Sequence, residues 1–213
     1  MPAVEGLKKR LYCSACMRPK SACICPCIQR VTSDVEVLIL QHPDEVLHAK
    51  GTARLLHLCL PNSRIVVGEV FDETVLQGLL SEGGKQSVLL YPTDCYDAPA
   101  GIATHQIRLV VLDATWQNSR RLLRLNPALQ TLPRVAFQDP APTRYSAIRI
   151  AHAQHQLSTI EATGAMLAQL EHRLNTQPLL RAFDDFIAFQ KTFLPEIRRY
   201  RNGERLLRAA PPT

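Results

Sequence analysis

Short apolar runs that alternate with helix-periodic segments set the strongest limit on the fold of this chain. "VEVLILQ" (35–41), "RIVVGEV" (64–70), "SVLLYP" (87–92), "IRLVVLD" (107–113) and "RVAFQ" (134–138) read as strands. They are close to continuously apolar, the pattern of strands buried on both faces rather than on one. Between them, "EVLHAKGTARLLHLCL" (45–60) puts Val46, Ala49, Ala53, Leu56 and Leu60 at helical spacing, and "ETVLQGLLSEG" (73–83) makes a helix that Gly83-Gly84 stops. A third helix opens near Trp116 and runs to about Leu125, ahead of Pro127. Ser158 and Glu161 form a capping box for a fourth over 158–173, and a last amphipathic helix covers 179–198 with Phe183, Phe186, Ile187 and Phe193. The expectation is an α/β fold, a mostly parallel sheet with helices on both faces.

The N-terminal segment departs from this alternation. Five of the seven cysteines lie in "CSACMRPKSACICPC" (13–27). Cys13 and Cys16 form a CxxC knuckle, and Cys23 and Cys25 a CxC pair, so four soft ligands close a small loop of the kind that suits a structural, tetrahedral zinc. Pro19 helps to fold that loop back. A disulfide knot and a redox pair are the competing readings, but a redox CxxC opens a helix after a strand and this one precedes any strand. Spacing alone does not separate Cys23/Cys25 from Cys25/Cys27. Cys59 and Cys95 sit in apolar surroundings and read as core or loop residues. The division expected is a zinc-binding knuckle over 1–32, a catalytic domain over 33–197 and a basic tail over 198–213.

Charge and targeting narrow the setting. Lys and Arg total 25 against 19 Asp and Glu, a net +6, which suits a polyanionic partner. The charged start "MPAVEGLKKRLYC" has no apolar run before a cleavage site, and no stretch approaches the ~18 apolar residues of a membrane span. The expectation is a cytoplasmic protein with no membrane partner.

Polar residues gather where strands end. "LQHPDE" supplies Gln41 and His42, "LLYPTD" supplies Leu90, Tyr91 and Pro92, and "LDATW" supplies Asp113, Thr115 and Trp116. Ligands of open parallel sheets bind at such carboxyl ends. No G-x-G-x-x-G follows the first strand and no P-loop occurs anywhere, which argues against ordinary dinucleotide or nucleoside-triphosphate chemistry. Simpler roles compete: Asp113 as a helix cap, Trp116 as core, Lys50 with Arg54 as a solvated flank four residues apart on one helix. Arg120, Arg121 and Arg124 share a helix face in the same way.

These blocks, in this order, resemble the DTW-domain family of tRNA-uridine aminocarboxypropyltransferases. The resemblance runs over roughly 13–165 through the cysteine knuckle, "QHPDEVLHAKGTARLL", "LLYPTD", "LDATWQNSRRLLRLNPALQTLPRV" and "RYSAIR…LSTIEATGAML". Ala114 stands where glycine is common in the family. The resemblance implies a SPOUT-like fold with a trefoil knot. It also implies transfer of the 3-amino-3-carboxypropyl group of S-adenosylmethionine to N3 of a uridine, in the variable loop of tRNA, with release of 5′-methylthioadenosine. On that reading Asp113 is catalytic. Leu90, Tyr91, Pro92, Thr115, Trp116, Ser158, Thr159 and Glu161 contact the donor, and Lys50, Arg54, Arg120, Arg121, Arg124, Tyr145 and Arg149 contact RNA. Cys13, Cys16, Cys23 and Cys25 hold structural zinc. Two alternatives share these residues: modification of ribosomal RNA or methyl transfer on the same scaffold, and a zinc-knuckle RNA-binding module without catalysis.

Overall fold

The computed structural model describes residues 11–93, 101–136 and 157–193. Five strands, β1 (Glu36–Gln41), β2 (Ser63–Val67), β3 (Gln86–Leu90), β4 (Ile107–Asp113) and β5 (Arg134–Val135), form one sheet in the order β2-β1-β4-β3-β5. Every pairing is parallel. The expected α/β class with a parallel sheet is therefore the observed one. Parallel strands need crossovers, and helices supply those from β1 to β2, from β2 to β3 and from β4 to β5.

Successive residues of the strands feed two separate cores, as the period of two requires. Val37, Ile39, Leu109 and Val111 face α1 (Ala53–Cys59), α5 (Thr159–Leu170) and α6 (Gln177–Lys191). Leu38, Leu40, Leu89 and Val110 face α2 (Glu73–Ser81), α3 (Trp116–Leu125) and the short α4 (Pro127–Gln130). Cys16, Ile24, Cys27 and Val31 of the cysteine segment belong to the first of these cores. Cys59 is buried there too, while Cys95 lies outside the described residues. No helix among the described residues is long and apolar enough to cross a membrane.

Three boundaries differ from expectation, each for a local reason. The helix expected over 45–60 begins only at Ala53. Pro43 starts a separate 3-10 turn over Pro43–Glu45, whose N-cap His42 accepts the Asp44 N–H on its ring, so Val46 and Leu47 are left 45% and 89% exposed. Lys50 consequently sits in the turn before α1 rather than one helical turn from Arg54. The strand expected over 64–70 stops at Val67, because Gly68 donates its N–H to the Gln41 carbonyl and the chain turns away. The last helix starts at Gln177 and ends at Lys191; residues 194–213, the basic tail included, lie outside the described residues.

One buried cation anchors the amino-terminal edge of the sheet. Arg108, 1% exposed, donates to Glu36 Oε1 at 2.8 Å and to the carbonyls of Leu79 and Glu82 at 2.7 and 2.8 Å. Burial works to raise the Glu36 carboxyl, but Arg108 and Lys85 outweigh it and hold it below its ordinary 4.5. A lowered carboxylate contributes stability that is complete above the ordinary value and is lost as pH falls through the lowered one. Glu36→Ala leaves the Arg108 charge uncompensated and is expected to cost about 2–3 kcal/mol at pH 7, below the full value for a buried pair because Glu36 is partly hydrated. In urea titrations the gap between variant and wild type should close as pH falls through the lowered Glu36 value.

Candidate active site

Gln41 and Asp113 end neighbouring strands and are register partners across them. Beyond Gln41 the chain crosses to α1 on one face of the sheet, and beyond Asp113 to α3 on the other. These two strand ends therefore stand at the reversal of strand order, the place where open parallel sheets bind ligands. Asp113 is 5% exposed. Its Oδ2 accepts from Gln41 Nε2 at 2.8 Å and its Oδ1 from Thr159 Oγ1 at 2.5 Å.

Thr159 is the first residue of α5, and the capping box expected from Ser158 and Glu161 is what holds it there. Ser158 Oγ accepts the Glu161 N–H, while Glu161 Oε2 accepts from the Ser158 N–H and hydroxyl at 2.9 and 2.7 Å. Both residues are buried and bonded to each other, so it is Thr159 that reaches the aspartate. The Ile160 N–H is taken by Thr52 Oγ1 at 3.3 Å, which sets the starts of α5 and α1 side by side.

The N-cap of α3 is Thr115, whose Oγ1 accepts the Asn118 N–H, so Asp113 is not the cap of that helix. Trp116 follows and is 46% exposed rather than part of the core. Tyr91 meets it edge-to-face with ring centroids 6.4 Å apart, and the Arg134 guanidinium lies 5.5 Å from the Tyr91 centroid. Tyr91 is positioned by its N–H bond to the Val135 carbonyl, between the end of β3 and exposed Pro92.

A polar chain leads from this corner to the surface. The His42 N–H donates to the Asp113 carbonyl. His42 Nδ1 accepts the Asp44 N–H at 3.2 Å, which assigns the ring proton to Nε2, facing Glu69 Oε1 at 3.2 Å. Glu69 Oε1 also pairs with Arg121 Nε at 2.9 Å. The three arginines thus differ: Arg121 is engaged, while Arg120 and Arg124 lie exposed one turn apart. Arg54 is half-buried on α1. Tyr145 and Arg149 lie outside the described residues. Glu69 was concealed in the sequence by the overextended second strand; Gly68 directly before it is the signal that could have exposed it.

The thiol sulfurs of Cys13, Cys16, Cys23 and Cys25 lie within 4.8 Å of one another. Cys13–Cys25 and Cys16–Cys23 separations are 3.6 and 3.7 Å, close to the edge of about 3.8 Å in a tetrahedron with 2.3 Å zinc–sulfur bonds. All are free thiols, and Cys27 is buried outside the cluster. Backbone N–H groups of Cys16 and Ala15 pull the Cys13 thiol down to about 6, while burial and the neighbouring thiols push Cys25 up to about 12. The donor set fits a cation that replaces those protons. Arg18, inside the knuckle, donates to the carbonyls of Ala49 and Gly51 at 2.6 and 3.0 Å and lies over the Phe186 ring.

A family model for the DTW domain matches residues 10–191, from the knuckle to the end of α6. The chain belongs to the DTW-domain family. A DTW-domain relative from Drosophila melanogaster, "tRNA-uridine aminocarboxypropyltransferase 2", is 32% identical over 197 residues, 85% of this chain and 76% of its own. The protein of the same name from Macaca fascicularis is 28% identical over 92% of this DTW-domain chain and 68% of its own. "tRNA-uridine aminocarboxypropyltransferase A" of Arabidopsis thaliana is 25% identical over 54% of this chain and 51% of its own. No solved structure matches the chain.

Proposed function

We propose that this DTW-domain protein transfers the 3-amino-3-carboxypropyl group of S-adenosylmethionine to N3 of a uridine in the variable loop of tRNA. The observation that carries the reading is a buried carboxylate that accepts from Gln41 and Thr159 at the switch point of the sheet, in a chain whose relatives are named for that transfer. Asp113 is buried at the end of β4, and Trp116 three residues on is exposed and meets Tyr91 edge-to-face; a carboxylate and an aromatic ring from one turn of chain suit a sulfonium cation that carries adenine. Bound there, S-adenosylmethionine supplies an electrophilic γ-carbon and a neutral thioether leaving group.

The protein's part is proton removal and positioning. Uridine N3 carries an imide proton and is a poor nucleophile until that proton leaves; Asp113 accepts it as general base. Thr159 and Gln41 hold the carboxylate, and Ser158 with Glu161 holds Thr159. Thr115 and the Leu90–Pro92 segment contact the donor. Trp116 gives an unstacked base a flat apolar surface. Alignment of N3 with the γ-carbon accounts for much of the rate in a displacement of this type. Cys13, Cys16, Cys23 and Cys25 hold a structural zinc.

Lys50, Arg54, Arg120 and Arg124 meet phosphates. Arg120→Ala and Arg124→Ala should each reduce the slope of log affinity against log salt by about one. Arg121→Ala, which breaks the pair with Glu69, should change that slope less and the turnover rate more. Filter-binding titrations on tRNA over a range of salt read the difference.

The deciding experiment incubates the protein with S-adenosylmethionine and unmodified tRNA transcripts and weighs the nucleosides. Aminocarboxypropyl-uridine together with methylthioadenosine supports the proposal. A methylated uridine overturns the group transferred, and no product on any tRNA moves the reading to ribosomal RNA or to a binding module.

A further inference from the structure

We infer that Glu45 binds the α-ammonium of S-adenosylmethionine, at the end of the donor that is transferred. The inference rests on the donor proposed above. Three acidic residues are buried among the described residues: Glu45, Asp113 and Glu161. Asp113 accepts from Gln41 and Thr159, and Glu161 from Ser158. Glu45 is 8% exposed, and its carboxylate has no hydrogen bond or ion pair to any described residue. Its neighbour Asp44, in contrast, is exposed and accepts from Asn118 Nδ2 at 3.4 Å. A carboxylate withdrawn from water without a partner is unfavourable, and a hydrogen-bonding cation is the partner that offsets this best.

The place of Glu45 in the fold fits such a partner. It ends the 3-10 turn Pro43–Glu45, which leaves the carboxyl end of β1. The His42 N–H donates to the Asp113 carbonyl and the Glu45 N–H to the His42 carbonyl, so the turn is tied to the end of β4. Further along, the His48 N–H donates to the Glu45 carbonyl and the Gly51 N–H to the His48 carbonyl. The backbone is so close there that a Cβ on Gly51 would lie 3.2 Å from the His48 carbonyl oxygen and 3.5 Å from that of Glu45. Thr52 follows, and its hydroxyl accepts the Ile160 N–H at the start of α5. Glu45 is thus held between the two elements that carry Asp113 and Thr159. A second unmatched group lies on the same stretch: His48 Nδ1 is buried and has no hydrogen-bond partner. Two such groups three residues apart, one of them an anion, fit a ligand end that is polar and positively charged.

S-adenosylmethionine carries two cations, the sulfonium and the α-ammonium. The ammonium has three N–H donors and matches a carboxylate by hydrogen bonds as well as by charge, whereas the sulfonium has no donor. The ammonium is therefore the better complement to Glu45. Its capture anchors the aminocarboxypropyl chain at one end and limits where the reacting γ-carbon can lie.

Glu45→Gln removes the charge and keeps the shape. In calorimetric titrations it should bind S-adenosylmethionine and S-adenosylhomocysteine about ten- to a hundredfold more weakly, the worth of a hydrogen bond to a charged group. It should bind 5′-methylthioadenosine, which lacks the amino-acid end, as wild type does. Without ligand the variant should melt no lower than wild type, because the charge it removes loses no partner. A lower melting temperature would make the carboxylate a structural group and overturn the assignment. Equal weakening of all three ligands, or of none, overturns it as well. Loss for S-adenosylmethionine alone puts Glu45 at the sulfonium, since the sulfur of the homocysteine compound is neutral, and overturns the ammonium. If wild type binds none of the three, the donor proposed above fails and this role with it. Wild-type binding beside an unaltered variant removes Glu45 alone.

Discussion

Asp113→Asn is expected to slow aminocarboxypropyl transfer about 10³-fold, in the middle of the range for loss of a general base. The protein should remain folded, because the new amide has an oxygen and an NH2 that can be matched from either side. The Gln41 side chain offers donor or acceptor after an amide flip, and the Thr159 hydroxyl rotates to suit. The bonds to Gln41 and Thr159 are therefore kept while the capacity to bind a proton is lost. Single-turnover rates with saturating tRNA and donor measure the loss, and a melting curve within about 3 °C of wild type corresponds to roughly 1 kcal/mol for a domain of this size. Asp113→Asn protein that is folded and fully active would take Asp113 out of proton transfer.

Removal of zinc should be as severe, but on stability. Structural zinc contributes about 10–16 kcal/mol to peptides that have no other core. This chain has a sheet with two cores, so only part of that energy bears on global unfolding. The knuckle nevertheless shares the core of α1, α5 and α6 through Cys16 and Ile24, both at most 1% exposed. Cys16→Ser, or exhaustive chelation, is expected to lower the melting temperature by about 10 °C, equivalent to about 3 kcal/mol. Metal analysis should find one zinc per chain in wild type. Metal-free wild type with an unchanged melting curve would remove zinc from the fold.

The sheet was legible because parallel strands buried on both faces leave almost continuous apolar runs, and "IRLVVLD" is such a run. The start of α5 was legible because a capping box is local: Ser158 and Glu161 are three residues apart. The helix expected from residue 45 failed because Val46 and Ala49 share the period of Ala53 and Leu56 by coincidence. Periodicity carries no information about whether a neighbour stands ready to bury the stripe. The strand-end residues were readable one at a time, yet nothing local says that the Gln41 amide should meet Asp113, or that Thr159 rather than Ser158 should. Those pairings come from strand order, which apolar pattern does not encode. The four-thiol cluster was narrowed by spacing and separated from Cys27 only by geometry, since Cys27 turns into the core.

The hydrogen bonds from Gln41 and Thr159 to the Asp113 carboxylate span 72 and 46 residues of chain. Contacts so distant form late, after strand order has been established by a search that grows slower as loops lengthen. The corner around Asp113 therefore assembles only when the ends of β1 and β4 and the start of α5 have arrived together. Recovery of transfer activity after dilution from denaturant would then lag recovery of helix signal, and turnover would serve as a clock for the final docking of the fold. A fragment that ends before α5 would lack Thr159 and, with it, a side chain that holds the Asp113 carboxylate.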